Sequence, residues 1–172
     1  ITSLERGLQA LAAKMNRDQD ILFLYLTTHG SEDHRLSFDQ SGLDLPDLSA
    51  DELADMLDNS GIKWKVVVLS ACYSGGFIEP LKNEQTLILT AAAADKTSFG
   101  CSDNRQFTYF GDALFQQSLA KTDSFSAAFD QAVTLINEWE NEEELEPSNP
   151  QSHQPEPIME QLRRWRRTLV VN

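Results

Sequence analysis

The chain has 172 residues, 41% hydrophobic and 24% charged, enough for one globular domain with a real core. Its formal net charge of −13 and pI near 4.5 exclude nucleic acid or an anionic membrane surface as the main partner, because both need clustered positive charge. Two cysteines make no disulfide framework, no metal-ligand spacing is present, and no apolar run is long enough to span a bilayer.

The first segment places Leu4, Leu8, Leu11 and Met15 on one helical stripe, and Thr2 with Glu5 fits a capping box at its start. Next comes Ile21-Leu22-Phe23-Leu24-Tyr25-Leu26, an apolar run of strand length that ends in Thr28-His29-Gly30. It does not alternate with polar residues, so it reads as a parallel strand buried on both faces. In residues 31–41 the alternation of Arg35-Leu36-Ser37-Phe38 predicts a small hairpin. His34 reads as solvated. Ser49 and Glu52 then form a capping box, Leu53, Met56 and Leu57 give an apolar face, and Gly61 stops the helix. That helix is a crossover to a second buried strand, Val66-Val67-Val68-Leu69, which ends in Ser70-Ala71-Cys72-Tyr73-Ser74-Gly75-Gly76.

A third buried strand is expected over 86–94, followed by a polar loop through Thr97 and Ser98. Helices are expected over 112–120 and 124–139, the second with Phe125, Phe129, Val133 and Ile136 on one face. Six of the nine residues from 138 to 146 are Glu, and residues 147–157 hold four of the six prolines. This composition predicts a mobile surface loop over 138–157. A last helix starts near Pro157 with Ile158, Leu162 and Trp165 facing inward. Its Arg163-Arg164-Trp165-Arg166-Arg167 cluster reads as a solvated face, and His153 reads as solvated too.

Loops at the carboxyl ends of adjacent parallel strands share one crevice, so His29 and Cys72 are expected to converge there. Such a pair supplies a thiolate nucleophile and its base. A cysteine at that depth also reads as a small buried residue, and a lone histidine at a strand end as structural. Their equivalent positions on consecutive strands, each with glycine nearby, favour the catalytic reading. Cys101 reads as a structural or free thiol.

The succession of Thr28-His29-Gly30, Ser70 to Gly76, Thr90-Ala91-Ala92, Thr97-Ser98-Phe99-Gly100-Cys101 and Thr108-Tyr109-Phe110-Gly111-Asp112 resembles the legumain family of cysteine peptidases, in the caspase-like clan. The likeness covers roughly 20–115 and points to a bacterial-type member. It implies an α/β caspase-like three-layer sandwich with a mainly parallel sheet, a His29–Cys72 dyad, and no metal or cofactor. It implies oxyanion donors at the backbone N–H groups of Gly30 and Cys72, and substrate-binding residues Thr97, Ser98, Asp112 and Tyr73. Tyr73 stands where legumains carry a Glu used in recognising asparagine. Asp112 reads equally as a pocket carboxylate or as a helix cap.

Residues 1–172 are therefore expected to form a single peptidase domain, the carboxyl-terminal portion of a longer protein. Two strands of the clan's sheet, which precede the histidine strand, lie outside this chain. The expected partner is a peptide or protein substrate. Membrane attachment is open only through a segment upstream of Ile1, and the sequence leaves the localisation open, with extracytoplasmic or membrane-attached favoured over other readings. The expected activity is that of a cysteine endopeptidase preferring a basic or Asn residue before the cleaved bond. The alternative is a catalytically silent caspase-like module that binds partners.

Overall fold

The computed structural model describes residues 2–38, 45–100 and 106–170. Its centre is strand β5 (Trp64–Ser70), buried along nearly its whole length. β5 lies parallel to β1 (Ile21–Thr27) on one side and to β6 (Thr86–Thr90) on the other, and β7 (Gln151–His153) adds antiparallel to β6. The sheet order β1-β5-β6-β7 leaves β1 and β7 at the edges among the described residues.

The period of two along β5 sorts its side chains into two cores. Val67 and Leu69 pack with Leu8, Leu53, Leu57 and Phe77 under α1 (Thr2–Ala12), α2 (Ala50–Asn59) and the short α3 (Ile78–Leu81). Val66 and Val68 pack with Phe129, Ile136, Ile158 and Leu162 under α5 (Phe125–Glu142) and α6 (Glu156–Val170). Helices on both faces of a mainly parallel sheet make the α/β three-layer sandwich that the resemblance implies.

The capping box of α2 is present as expected: Glu52 N–H donates to Ser49 Oγ, and Ser49 N–H donates to Glu52 Oε2. α1 by contrast already includes Thr2, so Thr2 does not stand ahead of it as a cap. A second, antiparallel sheet of three short strands, β2 (His29–Gly30), β3 (Arg35–Ser37) and β4 (Leu48–Ser49), sits at the carboxyl end of β1. Arg35–Ser37 is thus a strand of a hairpin as expected, but its partners lie outside the expected 31–41, one of them holding His29 and the other at 48–49. Residues 39–41 of that expectation lie outside the described residues.

Four further expectations are corrected. β6 ends at Thr90 rather than 94, because Ala92 N–H donates to Ser74 Oγ and Ala93 N–H to the Ser148 carbonyl, which turns the chain out of the sheet. The helix expected to open at residue 112 starts earlier. α4 (Tyr109–Gly111) has Thr108 as its cap and runs into a π-helical segment, Asp112–Ser118, so Asp112 is not the cap. Trp165 does not point inward: it is 47% exposed and lines a shallow cavity of about 210 Å³ with Ile21, Phe23, Val66, Phe125 and Leu162. Phe23 on β1 is 45% exposed beside it.

The fourth correction concerns 138–157, read as a loop. It contains the last turn of α5, all of β7 and the start of α6. Composition misjudged it because one of its glutamates is not solvated. Glu140 is 2% exposed, and both its carboxylate oxygens accept the Ser148 N–H, at 3.1 and 3.2 Å. A carboxylate is buried only when donors compensate its lost hydration. Here the donor folds the chain after α5 back onto that helix, the Ser148 carbonyl accepts the Ala93 N–H just past β6, and β7 follows in register, His153 opposite Ile88. His153 is likewise not free, since its Nε2 lies 3.1 Å from the Asn83 carbonyl oxygen.

Among the described residues no helix is long and apolar enough to cross a membrane. Removing the Glu140 carboxylate leaves a buried N–H without a partner, which costs about 1–3 kcal/mol. Glu140→Ala should therefore lower the urea unfolding free energy by about that amount, and Glu140→Gln, which keeps one acceptor, should recover part of it.

Candidate active site

Two backbones meet where β1 and β5 end. Thr28 N–H, just past β1, donates to the Ser70 carbonyl at 3.3 Å, so the parallel register carries through to the strand ends. One residue beyond His29, a Cβ built on Gly30 would lie 2.0 Å from the Cys72 carbonyl oxygen and 3.3 Å from the Ala71 side chain. No real side chain tolerates that contact, so glycine is the residue that lets the two strand ends touch. The structure thus brings Gly30, immediately after His29, against Cys72.

His29 itself is exposed on β2, and among the described residues no hydrogen bond joins it to Cys72. The Cys72 sulfur, half-buried, accepts the Ser98 N–H at 3.2 Å and lies 3.5 Å from the Ser98 carbonyl and 3.7 Å from its hydroxyl. The loop after β6 is pinned beside it by a second bond, Tyr73 N–H to the Lys96 carbonyl at 2.7 Å. Ser98 and Tyr73 are therefore gathered at Cys72. Thr97, between those two anchor points, is exposed.

The backbone N–H groups of both candidate oxyanion donors are open. Cys72 N–H makes no hydrogen bond among the described residues. Gly30 lies opposite Leu36 in the β2–β3 ladder, while the neighbouring Ser31 N–H donates to the Arg35 carbonyl at 3.1 Å. Hydrogen-bonded and non-bonded pairs alternate in an antiparallel ladder, so the Gly30 N–H points away from β3.

Asp112 is half-buried and opens the π-helical segment, with Oδ1 3.3 Å from Gln117 Nε2. No hydrogen bond or ion pair joins it to Cys72 among the described residues. It is tied to the site through Thr108, whose hydroxyl lies 2.8 Å from Ser70 Oγ at the end of β5 and accepts the Gly111 N–H at 3.0 Å.

Three contributors escaped the sequence. His34, read as solvated, is half-buried, and a Cβ on Gly76 would strike its ring at 2.2–2.5 Å. A Cβ on Gly75 would likewise strike the backbone at Ala92, Ala93 and Ala94, at 2.6–2.9 Å. The paired glycines after Ser74 thus hold the turn below Cys72 between the β2–β3 turn and the loop after β6; their adjacency was the one signal that could have announced this. The third contributor is Glu32, whose carboxylate accepts the Tyr73 hydroxyl at 3.4 Å. Partial burial first, and the Glu32 charge second, push the Tyr73 phenol above its usual range. Tyr73 takes the left-handed conformation, φ +57°, uncommon for a bulky residue and sustained by bonds at both its N–H and its hydroxyl.

Among the described residues no group of three or more His, Cys, Asp or Glu side chains is arranged to hold a metal ion. The site's chemistry is that of a thiol, an imidazole and open backbone donors. Glycine at 30 is essential to that arrangement, whereas a Cβ placed on Gly7 in α1 would meet nothing within 4 Å. Gly30→Ala should cost about 1–3 kcal/mol of stability by overpacking, and Gly7→Ala should add about 0.5–1 kcal/mol by lowering the entropy of the unfolded chain. Urea unfolding of the two variants checks the contrast.

The family model described as the Peptidase C13 family matches residues 8–160 of the chain. No curated protein matches it.

Proposed function

We propose that this chain, which belongs to the Peptidase C13 family of cysteine peptidases, is an endopeptidase that cleaves through Cys72 and His29 after a basic or asparagine residue. The single observation that carries the dyad is the contact of Gly30 with the Cys72 carbonyl oxygen, which sets His29 one residue from the nucleophile's own backbone. The order of events follows from the two groups. The Cys72 thiolate attacks the carbonyl carbon of the scissile bond, and the negative charge moves to the carbonyl oxygen. Open N–H groups at Gly30 and Cys72 receive that charge as preplaced donors. When the C–N bond breaks, His29 gives its proton to the departing amine, and the acyl group remains on sulfur as a thioester. Water that gives a proton to His29 then attacks the thioester, and Cys72 leaves as thiolate.

Thr97 and Ser98 are proposed to pair with the substrate backbone ahead of the cleaved bond, with Tyr73 alongside. Asp112 is proposed as the carboxylate at the base of the primary pocket. In a domain of net charge −13 that carboxylate repels an acidic side chain and accepts hydrogen bonds from Arg, Lys or Asn. Tyr73, in place of the family's Glu, weakens the case for Asn relative to Arg and Lys.

A fluorogenic peptide panel varying only the residue before the cleaved bond tests the reading. Expected are hydrolysis after Arg or Lys, weaker hydrolysis after Asn, none after Asp, a narrowed preference in Asp112→Asn, and no turnover in Cys72→Ala. Cleavage after Asp, or a profile indifferent to Asp112→Asn, contradicts the pocket assignment. Absence of turnover in the wild-type protein contradicts the peptidase reading and leaves the binding module.

A further inference from the structure

The β2–β3 turn brings two carboxylates to the rim of the site, and they are not equivalent. Asp33 is neutralised: it accepts the Ser31 hydroxyl at 2.6 Å and pairs with Arg35 at 3.1 Å. Glu32 makes no ion pair among the described residues, and its hydrogen bond is with the Tyr73 hydroxyl, next to Cys72 in sequence. Lys96, whose backbone carbonyl holds Tyr73, sends its own side chain to Glu146 at 3.9 Å. Glu32 thus presents an uncompensated negative charge beside the candidate nucleophile.

Its side of the cleft can be read from the chemistry. The Cys72 sulfur is flanked by Ser98, and the Gly30–His34 turn lies against Cys72 and Gly76. In a thiol peptidase the base must reach the departing amine, so the product that leaves first lies on the base's side of the nucleophile. His29 and Glu32 belong to the same turn, three residues apart. The peptide after the cleaved bond therefore leaves past Glu32, while the acyl half lies toward Ser98.

We propose that Glu32, held by the Tyr73 hydroxyl, is a specificity-determining residue that favours peptides with a lysine or arginine directly after the cleaved bond. The inference rests on the peptidase reading above but not on the identity of its primary pocket. The selection is electrostatic and exposed, so it is modest and weakens with salt. Tyr73, fixed at its backbone by Lys96, holds the exposed carboxylate toward Cys72 through its hydroxyl. Neutralising Glu32 removes the attraction, and reversing its charge turns it into repulsion.

The test uses internally quenched peptides identical up to the cleaved bond and carrying Lys, Gln or Glu directly after it, together with a coumarin amide of the same acyl half, which has no residue there. For the wild-type protein at low salt, kcat/KM should fall in the order Lys, Gln, Glu, with roughly threefold to fivefold between the extremes. That spread should shrink in 0.5 M NaCl, collapse in Glu32→Gln, narrow in Tyr73→Phe, and invert in Glu32→Lys. Wild-type cleavage of the coumarin amide with equal rates for the three peptides, or a Lys-to-Glu ratio unmoved by Glu32→Lys, overturns this assignment alone. Failure of the wild type to cleave any of the four substrates overturns the peptidase reading and this inference with it.

Discussion

The contact between the Gly30 backbone and the Cys72 carbonyl is the constraint on which the site depends. A side chain at position 30 would occupy space already filled at 2.0 Å, so the ends of β1 and β5 can close on one another only through glycine. Closure brings the residue after His29 against the Cys72 backbone and gives β2 a fixed origin beside the end of β5, while the alternation of the β2–β3 ladder turns the Gly30 N–H away from β3. Similar closeness recurs at Gly75 and Gly76, where the turn after the cysteine is clamped between the His34 ring and the backbone at Ala93 and Ala94. Interiors packed to this density do not deform gradually, and the rigidity of the surroundings of Cys72 follows from the three contacts together.

Behind this edge, β5 carries the rest. All seven of its residues pair with β1 and five of them with β6, both parallel, and the strand feeds two separate cores, one per face. The helices that cover those faces do not enter the site. They hold the strand ends in register, which lets loops of little regular structure present reactive groups in defined positions. The loop after β6 is an example: no regular element spans Lys96 to Ser98, yet Lys96 binds the Tyr73 N–H and Ser98 binds the sulfur.

The parts legible in the sequence are those with strong local signals. Unbroken apolar runs announced β1 and β5, although β1 is not buried on both faces as expected and only Leu22 in it is fully buried; the Ser49–Glu52 pair announced α2, and the order of polar strand ends announced which sheet edge to inspect. What escaped depended on partners distant in sequence. Residues 138–157 look like a solvated linker because nothing local reveals that Glu140 is buried against Ser148. The alanines at 91–94 look like more strand because small apolar residues suit a sheet interior and a tight turn equally. Trp165 falls on the inward stripe of its helix, yet the underlying sheet edge leaves it exposed beside Phe23. His34 and Glu32 stand in a polar stretch whose side chains matter only once the turn folds onto Cys72 and Gly76.

The closest test of the account is the rate at which iodoacetamide alkylates Cys72 as a function of pH, followed by mass spectrometry, in the wild-type protein and in His29→Ala. If the Gly30 contact makes His29 and Cys72 a working pair, Cys72 is modified at pH 6 faster than Cys101 in the same molecule and faster than Cys72 in the variant. Equal rates in all three cases would mean that the two strand ends touch without the histidine activating the thiol, and the dyad would have to be abandoned.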